Sequence, residues 1–166
     1  KQHGGELVRF SDCEIAYVCD PDRERTAEVA ALVAKSRPQP KAVQDLRVIL
    51  EDKSVDAVFI ATPNHWHALA AIWAVQAGKD VYVEKPVSHN VWEGRKIVEA
   101  ARKYNRIVQT GTQSRSSQAI REAVDWVRAG NLGKINIARG LCYKPRRSIG
   151  KVSAPTPIPD GVNYDL

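Results

Sequence analysis

Along this chain, short apolar runs alternate with stretches in which apolar residues recur every three or four positions, the spacing of a helix with one buried face. The runs at 14–19, 55–61 and 80–84 predict strands. Pro21 predicts a helix over 21 to about 35, because proline suits the first helical turn. After the proline-broken segment 36–40, Ala42 and Val43 predict a short strand, and Asp45 is placed to cap a helix running to about Leu50. The pattern from His65 to about Ala77 is again helical and stops at Gly78. A helix over about 91–104, with Asn90 as its cap, follows the third strand, and 106–110 predicts another strand ended by Gly111. Ser116 or Ser117 starts a helix over 118–129 with Ile120, Val124 and Val127 on one face, and Gly130 ends it. Residues 135–143 predict a strand of different character that leads into the proline-rich loop 153–159.

Strands alternating with helices of this length imply right-handed crossovers and a parallel sheet covered on both faces, an α/β fold. With 166 residues and 43% hydrophobic composition, the chain can bury one ordinary core and the start of another domain. The boundary is placed near 115–133, giving a first domain over 1–115 and a second beginning at 116 and running to the end. There is no internal repeat beyond the strand–helix unit and no low-complexity tract.

The net charge of +6 would suit an anionic partner, but Lys and Arg are scattered through helical segments and balanced locally by Asp and Glu. The one basic cluster, Lys144 to Arg147 with Lys151, has only Tyr143 beside it to stack a base, which argues against nucleic acid. Cys13, Cys19 and Cys142 have no C-x-x-C spacing and an odd count, so they read as small buried hydrophobes and not as a disulfide framework. No apolar run approaches the length of a membrane span. The chain opens at Lys1 and has no methionine. Its native start is therefore expected to lie upstream, and its compartment stays open between the cytoplasm, as default, and export.

Polar clusters sit where apolar runs end, at the sheet edge where ligands of open parallel sheets bind. Asp20 ends the first strand, where a carboxylate can accept hydrogen bonds from ribose hydroxyls and repel a 2′-phosphate; with Pro21 it can equally cap the next helix. Arg23 and Arg25 follow and would attract such a phosphate. Thr62-Pro63-Asn64 offers backbone and short polar groups, or simply an ordinary turn. If Asn64 caps the helix, His65 and His67 diverge by about 200° around it and do not converge on one metal ion. His67 is read either as a contact to substrate or cofactor or as a histidine packed near the helix start. Glu84 and Lys85 point to opposite faces, so Glu84 is not the automatic partner of Lys85. Lys85, taken as partly desolvated beside a bound dinucleotide, is the candidate general acid/base, weighed against an ordinary surface lysine.

These residues carry a resemblance. The segments Tyr17-Val18-Cys19-Asp20, Ala61-Thr62-Pro63-Asn64 with His67, and Ala77-Gly78-Lys79-Asp80-Val81-Tyr82-Val83-Glu84-Lys85-Pro86 resemble the Gfo/Idh/MocA oxidoreductases, relatives of glucose-fructose oxidoreductase and inositol dehydrogenase. The likeness continues through Trp92-Glu93-Gly94-Arg95, Gln109 to Arg115 and Gly130 to Ile135. It implies a Rossmann-type parallel sheet binding NAD, with NADP as the variant, followed by a C-terminal α/β domain that carries substrate choice and homo-oligomer contacts. Lys85 would be the catalytic lysine and Asp20 the adenosine-ribose acid. Thr62, Pro63, Asn64, His67, Glu84, Lys85 and Pro86 would line the nicotinamide half, with Gln113 and Arg115 near nicotinamide and substrate. The implied reaction is hydride transfer at a hydroxyl carbon of a sugar, cyclitol or related polyol. The alternatives are an NAD-using glycosidase of the same fold and a non-catalytic dinucleotide-binding module. The family's first strand and G-x-G-x-x-G loop find no match, nor do the Asp and His of its second domain. The sequence is accordingly expected to be a piece of a longer enzyme, with strands 14–19 and 55–61 flanking an unfilled sheet position and the isolated chain poorly stable or self-associating.

Overall fold

The computed structural model describes residues 7–142, 144–145 and 147–166. Five strands alternate with helices: β1 (Tyr17–Cys19), α1 (Arg23–Val33), β2 (Lys41–Val43), α2 (Leu46–Glu51), β3 (Ala57–Ile60), α3 (Asn64–Gln76), β4 (Asp80–Glu84), α4 (Val91–Tyr104) and β5 (Val108–Gly111). A 3₁₀ turn (Gln113–Ser116) and α5 (Gln118–Arg128) follow. Among the described residues the strands pair in parallel in two sheets, β1 with β2 and β3–β4–β5, and one isolated antiparallel bridge joins Asp22 and Val162. Ordered as β2-β1 and β3-β4-β5, the strands match the outer members of the doubly wound order 3-2-1-4-5-6. Among the described residues β1 and β3 do not pair with each other.

The core lies between the three-stranded sheet and α3 and α4. Val58, Ile60, Val81 and Val83 bury one face of β3 and β4, and Ala70, Ala71, Ala74 and Val75 of α3 are 0–1% exposed. Alanines at these positions let the helix backbone approach its neighbours closely, so many weak contacts accumulate. On the other face Phe59 and Tyr82, opposite each other in register, stack at 4.2 Å between ring centroids. Burial along β3 and β4 thus alternates. This departs from the continuous burial expected of a sheet covered on both faces.

Local chemistry fixes the helix ends. Gly78, at φ 82°, ends α3, with its N–H on the Val75 carbonyl and that of Lys79 on Ala74. At the start of α4 Asn90 Oδ1 accepts the Glu93 N–H while Glu93 Oε2 accepts the His89 N–H, a close variant of the capping box. Asp45 caps α2 through the Arg47 N–H, as its sequence position implied. Helix α1 begins two residues later than expected, because Asp22 and not Asp20 is its cap. Its Oδ1 accepts the N–H groups of Glu24 and Arg25.

Two compact units are present: the described residues up to Gly111 together with Ile158–Leu166, and Thr112–Pro157. In the first, residues 158–166 return to the β1–α1 turn. Arg23 N–H bonds the Gly161 carbonyl, Asn163 N–H bonds the Pro21 carbonyl, and Gln44 Nε2 donates to both of those carbonyls. In the second, α5 carries Ile120 and Val124 on an exposed stripe. The strand expected over 135–143 does not form among the described residues of that stretch, and Tyr143 lies outside them. Ile135 and Ile137 are exposed, and a β-prone run without a partner strand has nothing to donate to or accept from. No helix is long and apolar enough to cross a membrane among the described residues.

Candidate functional site

The parallel register aligns Ile60 with Val83 and Glu84 with Gly111, so the carboxyl ends of β3, β4 and β5 lie side by side. Thr62-Pro63 follows β3 directly, and Glu84-Lys85-Pro86 ends β4. Asn64 is the first residue of α3 and not its cap; the capping position falls to Pro63, which has no side chain able to accept. The Thr62, Pro63 and Asn64 side chains are exposed.

His67 is what physically joins the two loops. It is 1% exposed, with Nδ1 2.6 Å from the Pro86 carbonyl oxygen and Nε2 2.8 Å from that of Thr62. Both ring nitrogens therefore face the protein's own backbone, the arrangement of a histidine packed near the helix start. His65, two residues away on the same helix, is exposed, consistent with the divergence of that spacing. No cluster of three or more metal-ligating side chains occurs among the described residues.

Glu84 folds back so that its carboxylate accepts the Lys85 backbone N–H at 3.0 Å. A Cβ on Gly111 would lie 2.8 Å from Tyr82 Oη and 3.1 Å from the Glu84 carboxyl carbon. Glycine at 111 thus makes room for the Glu84 carboxylate, a role that its sequence position as a strand terminator did not reveal. Desolvation, with the Glu84 charge beside it, pushes the Tyr82 hydroxyl up from its ordinary value. Lys85 is exposed at the end of β4, on the side of the strand ends.

Asp20 follows β1 at the corresponding end of the two-stranded sheet. One oxygen, Oδ1, accepts the Asp22 N–H in a tight turn, and its backbone N–H bonds the Val43 carbonyl. Oδ2 has no hydrogen-bond partner among the described residues, and is free to accept from hydroxyls. Arg25 Nε pairs with Asp22 Oδ2 at 3.1 Å. Cys19 beneath this turn is half-buried; burial, with the Asp20 and Asp45 carboxylates adding, pushes its thiol up to about 11. Gln113 and Arg115 lie on the exposed 3₁₀ turn of the second unit.

Parallel strands with helical crossovers, loops gathered at the strand carboxyl ends and an acidic residue after β1 define the Rossmann class of dinucleotide-binding α/β proteins. The Gfo/Idh/MocA family model, an oxidoreductase family with an NAD-binding Rossmann fold, matches residues 1–112, and the chain belongs to that family. Inositol 2-dehydrogenase 3 of Saccharopolyspora erythraea is 35% identical over 135 residues, covering 80% of this chain and 38% of that protein. Levoglucosan dehydrogenase of Pseudarthrobacter phenanthrenivorans is 32% identical over 117 residues, covering 70% of this chain and 30% of that one. The crystal structure of myo-inositol 2-dehydrogenase from Lactobacillus plantarum superposes with a TM-score of 0.72 at 23% identity, covering 81% and 39% of the two chains, and shows likeness of fold. The chain spans well under half the length of each of these relatives.

Proposed function

We propose that the chain is the cofactor-binding part of an NAD-dependent oxidoreductase acting on a hydroxyl carbon of a cyclitol, sugar or related polyol. The observation that carries this reading is the alignment of the β3 and β4 ends, which sets Thr62-Pro63-Asn64 beside Glu84-Lys85-Pro86 in a chain whose β1 is followed by a carboxylate, Asp20, with one oxygen unpartnered among the described residues. Family membership supports the reaction class. The relatives named inositol and levoglucosan dehydrogenases support the polyol.

In this reading Asp20 Oδ2 accepts from the ribose hydroxyls of the adenosine half and its charge disfavours a 2′-phosphate. The exposed Thr62, Pro63 and Asn64 and the Pro86 turn line the nicotinamide half, and His67 holds two of those loops from behind. Bound NAD supplies the carbon that accepts or returns hydride. Lys85 Nζ takes the proton of the substrate hydroxyl as the carbonyl forms and returns it in the reverse direction. Glu84 fixes the Lys85 backbone through its N–H. The family resemblance supports Gln113 and Arg115 as further contacts, and residues from 116 onward as the start of a substrate and oligomer domain. Lys85→Met tests the assignment: it should abolish myo-inositol-dependent NADH formation by the enzyme while leaving NADH binding intact. Undiminished turnover would remove Lys85 from the chemistry.

A further inference from the structure

Among the described residues His67 is the most deeply buried polar side chain at the strand ends, and its ring nitrogens face a carbonyl of each loop. It lies in the first turn of α3, and side chains there lean back toward the helix start, which brings Nε2 to the Thr62 carbonyl just ahead of that start. Nδ1 reaches across to the Pro86 carbonyl. Pro63 and Pro86 have no N–H, so neither can contribute a backbone donor to tie the two loops together. A side-chain donor that reaches both carbonyls therefore supplies the cross-link that the two prolines leave out.

We infer that His67 is a positioning residue: by holding the Thr62 and Pro86 carbonyls it fixes the ends of β3 and β4 against each other, and with them the backbone of Lys85, the residue before Pro86. The doubly protonated ring donates to both carbonyls; the neutral ring donates to one and would turn a bare nitrogen toward the other carbonyl oxygen, so the clamp in its two-bonded form uses both ring N–H groups. The inference deepens the proposed function and rests on it for its consequence, the placement of Lys85 against the dinucleotide.

Two substitutions separate positioning from simple support. His67→Phe keeps the ring volume without a donor, and His67→Gln keeps a donor of shorter reach. NADH affinity, followed by cofactor fluorescence in each chain, should fall on the order of tenfold or more for His67→Phe, with part of that loss recovered in His67→Gln. A folded His67→Phe chain that binds NADH as tightly as the unsubstituted one overturns the inference and leaves the cofactor assignment standing. If the unsubstituted chain binds no NADH, the proposed function falls. The clamp is then judged by nitrogen-15 spectra of labelled histidine: a ring N–H of His67 protected from solvent exchange supports it, and a freely exchanging ring overturns it.

Discussion

The Tyr17 hydroxyl donates a 2.7 Å hydrogen bond to Asp52 Oδ2, tying the start of β1 to the loop after α2. Lys79, 2% exposed just before β4, donates its ammonium to the Asp52 backbone carbonyl. Asp52 therefore receives one bond from β1 and one from the residue before β4, strands whose sheets share no ladder among the described residues. The hydroxyl of Ser54, then that of Tyr17, then the Ser54 N–H hold the Asp52 carboxyl well below the usual carboxylate range.

Tyr17→Phe and Asp52→Asn should both lower the thermal midpoint of the chain, and the double variant should lose less than the sum, because the two residues share one bond. The sign with pH follows from the depressed carboxyl. Its stabilisation is present above the unfolded value of 3.8 and is lost as pH falls through the lower folded value. Acid unfolding followed by circular dichroism should be shallower below pH 4 in Asp52→Asn.

Gly111→Ala tests the close approach at the end of β5. Its methyl would meet Tyr82 Oη and the Glu84 carboxyl at distances that force one of them to move. A loss of about 1–3 kcal/mol in denaturant unfolding is expected, the range for overpacking. The displaced Glu84 would also release the Lys85 N–H, so NADH affinity should fall with stability.

Cys13 and Cys142 are exposed, against the burial expected of all three cysteines, so Cys19 should be the slowest to alkylate at neutral pH, since the thiolate is the reactive form and its thiol is pushed up to about 11. Because the folded value lies above the unfolded 9.0, the associated stability is complete below pH 9 and declines as pH rises toward 11. Mass spectrometry of peptides after timed iodoacetamide treatment checks the order.

Asp20→Ala should weaken NADH binding and narrow the preference over NADPH by about tenfold, ~1.4 kcal/mol, as a repulsive charge is removed. Parallel fluorescence titrations with the two cofactors read this directly.

The alternation of strands and helices was legible because apolar runs at 55–61 and 80–84 and caps such as Asp45 and Asn90 each act over a few residues. Where two local donors or acceptors competed, the sequence did not decide. Asp20 and Asp22 are both good caps, and only the geometry of the turn gave the helix to Asp22 and an internal turn to Asp20. Residues 135–143 have strand-forming composition, but a strand is defined by its partner, which local pattern does not supply. His67 stayed open between a ligand contact and a packed histidine because its spacing reports position on a helix and not which carbonyls face it. Gly111 read as a terminator because the Glu84 carboxylate that needs its missing side chain comes from 27 residues earlier in the chain.

The most direct test is a titration of the folded chain with NADH, followed by the cofactor's fluorescence. Saturable binding that weakens in Asp20→Ala is the expected result. A chain shown to be folded by circular dichroism that gives no saturable signal would contradict the assignment of a dinucleotide site to these strand ends.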